Sequence, residues 1–86
     1  MKILSITPSP FNESLNINWF NPYNQQISVR IKDINGNDIA VLSNSYYNSG
    51  NNNINWKPKI DIASGIYLIV ISDEFQTVSQ KVIYYK

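Results

Sequence analysis

Residues 63–71 read ASGIYLIVI, and after one polar turn residues 78–86 read VSQKVIYYK. The run from Ile66 to Ile71 is continuously apolar, with no charge and no proline, which is typical of a strand covered on both faces. We interpret it as a central core strand; the alternative is an adhesive surface that awaits a partner. Gly65 precedes the run, which predicts a φ angle or a close approach that a side chain would forbid. The two segments together predict a β-hairpin that closes the fold.

Apolar and polar residues alternate along 15–19 and again along 27–32, which predicts half-buried strands, and no segment repeats at helical spacing. The polar stretch from Ser43 to Asn53 is predicted to be a long loop. Seven short strands joined by turns predict an all-β fold, a seven-stranded antiparallel immunoglobulin-like β-sandwich. The predicted strands are Ile3–Ile6, Leu15–Trp19, 27–33, 38–42, Ile54–Trp56, Ile66–Ser72 and Thr77–Tyr84.

The dipeptide Asn35-Gly36 lies between the third and fourth predicted strands. Because it readily takes the positive φ angles that a tight hairpin needs, it predicts a turn there. Oxygen-bearing side chains also recur from Asp33 to Asp38, as they do in a calcium loop. An EF-hand loop counted from Asp33 needs glycine at its sixth position and glutamate at its twelfth, where this chain has Asp38 and Asn44. We therefore expect a hairpin turn and no metal site.

The composition limits both the size and the partners of the protein. A chain of 86 residues predicts a single domain over residues 1–86. Its 43% hydrophobic content supports a folded core, and a net charge of +1 argues against binding to nucleic acid or to a charged membrane surface. No apolar stretch approaches the roughly 18 to 20 residues of a membrane span, so we expect no membrane insertion.

The residues that most often carry chemistry are absent. The chain has no cysteine and no histidine, which removes thiolate nucleophiles, the usual neutral-pH base and the commonest transition-metal ligand. Asp73 and Glu74 are adjacent, so on an extended strand they would point to opposite faces rather than form a catalytic pair. We predict a non-enzymatic domain without a cofactor.

Aromatic residues make up 13% of the chain. Trp19 and Trp56 lie in phase with apolar neighbours, so both are predicted in the core. Tyr46 and Tyr47 lie in the predicted polar loop. They are interpreted as packed loop anchors, with a platform for a sugar or a protein as the alternative.

The order of these motifs resembles the type A C-terminal sorting domain of the type IX secretion system of Bacteroidota, and also the related immunoglobulin-like domain of the flagellar hook-capping protein. The resemblance covers residues 6–86. Two positions depart from the family pattern: Ser9, where asparagine is usual, and Asn37, where arginine is common. The motifs that carry the resemblance are 8–12, 15–19, 29–36 with 39–42, 54–56, 63–67 and 81–83.

The resemblance implies a C-terminal address on a larger secreted protein, whose cargo part comes first in the chain. Its partners would be the secretion translocon and the surface-attachment machinery. The cargo would pass through the periplasm to the cell surface or the medium, and the domain is commonly cleaved off. Family recognition depends chiefly on the last strands, which correspond here to Gly65, Tyr67, Lys81, Val82, Ile83 and Lys86. Roles in turn geometry, packing and solubility remain open for the same residues.

Two other functions stay open on the sequence. The sandwich is also suited to a structural module that self-associates through its strand edges in a filament or surface layer. A carbohydrate-binding module that uses Tyr46, Tyr47 or an exposed tryptophan is the second alternative.

Overall fold

Seven strands and no helix make up the computed structural model, which describes residues 1–86. The predicted all-β class and the predicted number of strands are confirmed. The strands are β1 Lys2–Thr7, β2 Leu15–Asn21, β3 Gln25–Asp33, β4 Asp38–Tyr47, β5 Gly50–Trp56, β6 Gly65–Ser72 and β7 Thr77–Tyr84.

The strands form two packed antiparallel sheets, as the predicted immunoglobulin-like sandwich requires. The three-stranded sheet has the order β1-β2-β5, and the four-stranded sheet has the order β4-β3-β6-β7. Contacts between β1 and β7 and between β4 and β5 bring the sheet edges together at the two sides of the sandwich. The hairpin β6–β7 therefore belongs to one sheet, with β6 in its interior and β7 at its edge.

The core lies between the sheets and follows from the period of two along the central strands. Leu15, Ile17 and Trp19 of β2 are all fully buried, because alternate side chains of a strand point to the same face. Trp56 is 4% exposed, so both tryptophans lie in the core as predicted. On β6, the alternate residues Tyr67, Ile69 and Ile71 are buried in the same core. The interpretation of 66–71 as a core strand is therefore confirmed for these three residues, whose side chains face the other sheet.

The predicted loop from Ser43 to Asn53 is wrong. Strand β4 continues to Tyr47 and β5 begins at Gly50, so only two residues connect them. The stretch lacks apolar alternation because β4 and β5 lie at sheet edges. Hydrogen bonds to the neighbouring strand, rather than buried apolar side chains, hold these segments in the sheet. Asn53 and Asn55 of β5, for example, donate side-chain hydrogen bonds to Asn18 and Asn16 of β2 at 2.7 and 3.0 Å.

The hairpin between β3 and β4 is present, but its turn differs from the simplest expectation. Gly36 has a φ of +86°, whereas no residue other than glycine has a positive φ. Asn35 therefore does not share the left-handed conformation. Two register shifts follow in the β3–β4 pair, at residues 29–30 and 31–32. They leave Ile39 and Leu42 as the extra residues on β4, and both pack against the core.

Candidate functional site

Five of the predicted recognition residues lie on the closing hairpin. Gly65 and Tyr67 are on β6, while Lys81, Val82 and Ile83 are on β7. The two strands pair over eight successive residues without a register shift. The structure therefore brings these five residues into one rigid two-stranded unit, and Lys86 follows just after it.

Tyr67 and Val82 form the buried side of this unit. They lie opposite each other in the β6–β7 register and are 8% and 1% exposed. The ring of Tyr67 packs edge-on to Trp56 with centroids 6.0 Å apart, and it lies 6.5 Å from the ring of Tyr84. Phe11 completes the cluster by stacking on Tyr84 at 5.0 Å. Both predicted residues thus hold the hairpin on the core.

The hydroxyl group of Tyr67 also fixes the chain that leads into the hairpin. It donates a hydrogen bond to the carbonyl oxygen of Ala63 at 2.6 Å. Burial raises the pKa of Tyr67, and the negative charge of Asp33 and the neighbouring Tyr84 raise it further. The hydroxyl therefore stays protonated and available as a donor at neutral pH.

Lys81 and Ile83 lie on the opposite, solvent-facing side. Ile83 faces Ile66 across the register, and the two are 47% and 42% exposed. Leu68 and Val70 follow Ile66 at alternate positions of β6, so they share its face. We name Ile66, Leu68, Val70 and Ile83 the outer strip, in which Ile66 and Ile83 are exposed, Leu68 is half-buried and Val70 is buried by its neighbours. The sequence analysis favoured a core strand for the whole run 66–71 and kept an adhesive surface as the alternative. The alternation relative to Tyr67 was the signal that separates the two faces.

Three cations border the outer strip. Arg30 and Lys32 occupy β3 positions opposite β6, and Lys81 lies on the other side of β6. Asp38 forms ion pairs with Arg30 at 3.0 Å and with Lys32 at 2.8 Å, and these are the two salt bridges of the structure. The hydrogen bond from Lys32 is the main cause of the lowered pKa of Asp38. Lys81 is therefore the cation on this face that forms no ion pair.

Gly65 and Lys86 lie where the hairpin meets the 57–64 connection. The sequence predicted either an unusual φ angle or a close approach at Gly65. Its φ is +159°, a conformation that side chains rarely adopt, so the first reason is confirmed; no atom lies within 4 Å of the position that a Cβ would take, so the second is wrong. The backbone N–H of Lys86 donates to the hydroxyl of Ser64 at 2.8 Å, and its Nζ donates to the carbonyl oxygen of Ile60. The end of the chain is thus tied back to the segment before β6.

Along one stretch, the edge of β7 has no hydrogen-bonded partner strand, although β1 of the other sheet lies close to β7; we call this stretch the open edge. Phe11 covers the end of this edge, because its N–H donates to the carbonyl of Ile83 at 3.0 Å and its carbonyl accepts from the N–H of Tyr85 at 2.8 Å. Backbone groups alternate in direction along an antiparallel strand. Residues 77, 79 and 81 therefore direct their N–H and C=O groups to the same side as Ile83, beyond the reach of Phe11.

The carboxylate of Asp33 is hydrogen-bonded within the turn at 33–37. One oxygen of Asp33 accepts from the backbone N–H groups of Asn35 and Asn37, both at 2.9 Å, and the other accepts from the side chain of Asn37 at 3.1 Å. The bonds from Asn37 are the main cause of the lowered pKa of Asp33. The predicted hairpin turn is confirmed, and no group of three or more potential metal-ligating residues is present in the structure.

Tyr46 and Tyr47 do not form a common platform. They lie on β4 rather than in a loop, and they point to opposite faces. Tyr47 packs edge-on to Trp19 at 5.3 Å, and its hydroxyl donates to Ser43 at 2.6 Å. Tyr46 is 65% exposed. The anchor interpretation is therefore confirmed for Tyr47, and both tryptophans are too buried to bind a sugar.

Fold and edge geometry define an immunoglobulin-like β-sandwich that ends in a partly uncovered hairpin. The family model described as the secretion system C-terminal sorting domain matches residues 5–85, and the chain belongs to this family. No curated protein and no solved structure matches it. The domain is a sorting signal for the type IX secretion system, a route to the cell surface or medium that is typical of Bacteroidota. Domains of this family are generally non-catalytic and interact with the secretion machinery.

The fold offers no helix capable of crossing a membrane.

Proposed function

We propose that this domain is the C-terminal address of a larger exported protein, and that the secretion machinery reads its closing hairpin, Gly65–Lys86. The cargo precedes the sandwich, reaches the periplasm and crosses the outer membrane through the translocon. Release or attachment at the surface is then the work of the machinery, and the domain itself supplies no catalytic group. The observation that carries the proposal is the open edge of β7, in a chain that belongs to a sorting family.

The β7 edge is suited to docking by strand addition. Sheet edges are commonly protected by bulges, and here the edge strands β1 and β4 contain register shifts, whereas the edge strand β5 does not. The pairing of β7 with β6 has none. An extended segment of a partner can therefore add to residues 77–81 through backbone hydrogen bonds, each worth about 1 kcal/mol net.

The outer strip adds side-chain contacts to the same docking mode. Strand addition gives affinity through the backbone, whereas specificity comes from the side chains beside it. Ile83 and Lys81 flank the open edge on the outer face, with Ile66 directly across from Ile83. A partner that extends the sheet at β7 would meet an apolar pair and a cation that forms no ion pair. This placement supports a proposed role in recognition for Lys81 and Ile83, and a proposed supporting role for Tyr67 and Val82.

The test is Ser79→Pro in a fusion of this domain to a secreted reporter. Proline is tolerated at an edge position whose N–H faces solvent, so we expect the variant to fold. The substitution removes the backbone N–H that Ser79 directs away from β6, and the proline ring occupies the space where a partner strand would pair. We expect about a tenfold fall in secreted reporter, which corresponds to the loss of roughly one hydrogen bond plus steric exclusion. The reporter should accumulate in the periplasm.

Ser79→Ala is the matched control, because it removes the hydroxyl but keeps the backbone donor. It should secrete normally. The melting temperatures of both purified variants show that the sandwich is intact. Normal secretion of a folded Ser79→Pro fusion would refute docking at this edge without affecting the family assignment.

A further inference from the structure

A second surface feature lies at the far end of the sandwich, away from Phe11 and Lys86. It is an open cleft of about 610 Å³ between the β2–β3 connection and the β6–β7 turn. Ten residues line it, and only two of them are hydrophobic. The volume lies in the range of small-molecule sites, but the polar lining is unusual for an apolar ligand.

Its two hydrophobic lining residues are both aromatic and both exposed. Tyr23 is 70% exposed and Phe75 is 86% exposed. One comes from the β2–β3 connection and the other from the β6–β7 turn, so the rings stand on two different walls of the cleft. An exposed aromatic ring provides a flat apolar surface with little conformational entropy to lose. This is the surface on which the C–H face of a sugar ring stacks.

The amide side chains of the cleft are held in place. Gln26 donates to Asn44 at 3.1 Å, and the side-chain oxygen of Asn24 accepts from the backbone N–H of Ser49 at 2.7 Å. Each of these amides keeps unused donor or acceptor capacity after its fixed bond. Their orientation is therefore set before a ligand arrives, which lowers the entropy lost on binding.

Gln25 is positioned by the one buried polar side chain of the protein. Asn21 is fully buried, and its side-chain oxygen accepts from the amide of Gln25 at 2.7 Å. The side-chain nitrogen of Asn21 donates to the carbonyl of Asn48 at 3.1 Å. Burying an amide is unfavourable unless it is bonded in this way. Asn21 thus supports the wall of the cleft from the core side.

The charge of the cleft restricts what can enter. Asp73 and Glu74 line it, and no lysine or arginine does. One oxygen of Asp73 accepts from the backbone N–H groups of Phe75 and Gln76, both at 2.7 Å. Carboxylate and amide groups bind neighbouring hydroxyl or amino groups of a sugar and repel a phosphate, sulfate or uronate.

We propose that this cleft is a saccharide-binding site for neutral or amino-substituted sugars. Tyr23 and Phe75 contact the apolar face of the sugar ring, whereas Gln25, Gln26 and the acidic pair bind its rim. The site is separate from the open β7 edge, and the inference does not depend on the recognition proposed there. A single small site of this kind is expected to have a Kd of about millimolar.

The experiment is an array of neutral, amino and acidic saccharides, followed by NMR titration of the labelled 86-residue protein with the best binder. We expect neutral or amino sugars to bind and to shift the side-chain amide signals of Asn24, Gln25 and Gln26. Tyr23→Ala and Phe75→Ala should each weaken binding about tenfold. Tyr85→Ala is the matched control, since Tyr85 is 71% exposed at the opposite end of the sandwich, and it should bind normally.

Several results would overturn the proposal. Binding of no saccharide, binding of acidic saccharides alone, or shifts confined to residues outside the cleft would each do so. Equal affinity of the wild type and of both folded cleft variants would have the same meaning. A peptide pool that occupies the cleft where sugars do not would assign it to a protein partner instead.

Discussion

Tyr67 and Val82 face each other across β6 and β7 inside the core, one residue away from Ile66 and Ile83, which face each other on the outside. The hairpin therefore places packing and surface residues side by side. Under the proposed docking mode, a substitution at a packing position reduces secretion by unfolding the hairpin, and one at a surface position reduces it by loss of contact. The two effects can be separated because the faces alternate.

Val82→Ala should lower the free energy of unfolding by about 2 kcal/mol. It removes the equivalent of two buried methylene groups from a residue that is 1% exposed and leaves a small cavity. Ile83→Ala, at a half-exposed position, should lower it by less than about 1 kcal/mol. Urea denaturation of the two variants gives the comparison. Equal losses would contradict the assignment of the two faces.

Lys81→Glu should reduce secretion of a reporter fusion and leave the melting temperature of the domain nearly unchanged. Lys81 is exposed and forms no salt bridge, so charge reversal alters the docking face and little else. Lys57→Glu is the matched control, since Lys57 is also exposed but lies outside the hairpin. If both reversals reduced secretion equally, the effect would be one of net charge.

Tyr67→Phe should lower the free energy of unfolding by about 1 kcal/mol, the usual net value of one hydrogen bond. The ring and its packing remain, whereas the bond to the carbonyl of Ala63 is lost. Hydrogen exchange should become faster at the backbone amides of 60–64 and stay unchanged at Leu15–Trp19. Unchanged exchange at 60–64 would mean that this bond does not hold the connection.

The strands could be predicted from the sequence wherever one face is buried. Leu15–Trp19 and 27–32 alternate because their inner side chains fill the core. The strand segments on either side of Gly50 could not be predicted in this way, because they lack alternating apolar residues. Asn53 and Asn55, for example, are held by side-chain hydrogen bonds to β2. The candidate site was also predictable only in part. Alternation along β7 indicates that Val82 is buried and Ile83 exposed. The open edge of β7 could not be predicted, because it depends on the pairing of β6 with β3, which are far apart in the chain.

Asp33→Asn should change the dependence of stability on pH. The pKa of Asp33 is lowered from 3.8 in the folded protein, chiefly by the backbone and side-chain hydrogen bonds of Asn37. A lowered folded pKa means that the charged form stabilises the fold above 3.8, and that this stabilisation disappears as the pH falls through the lower folded value. The wild type should therefore be more stable than the variant at neutral pH, with the difference shrinking below about pH 4. Urea denaturation between neutral pH and about pH 2.5 measures it, with Asp61→Asn as a control at an exposed aspartate outside the turn. A difference that stayed constant across this range would show that the charge of Asp33 does not contribute to the hairpin.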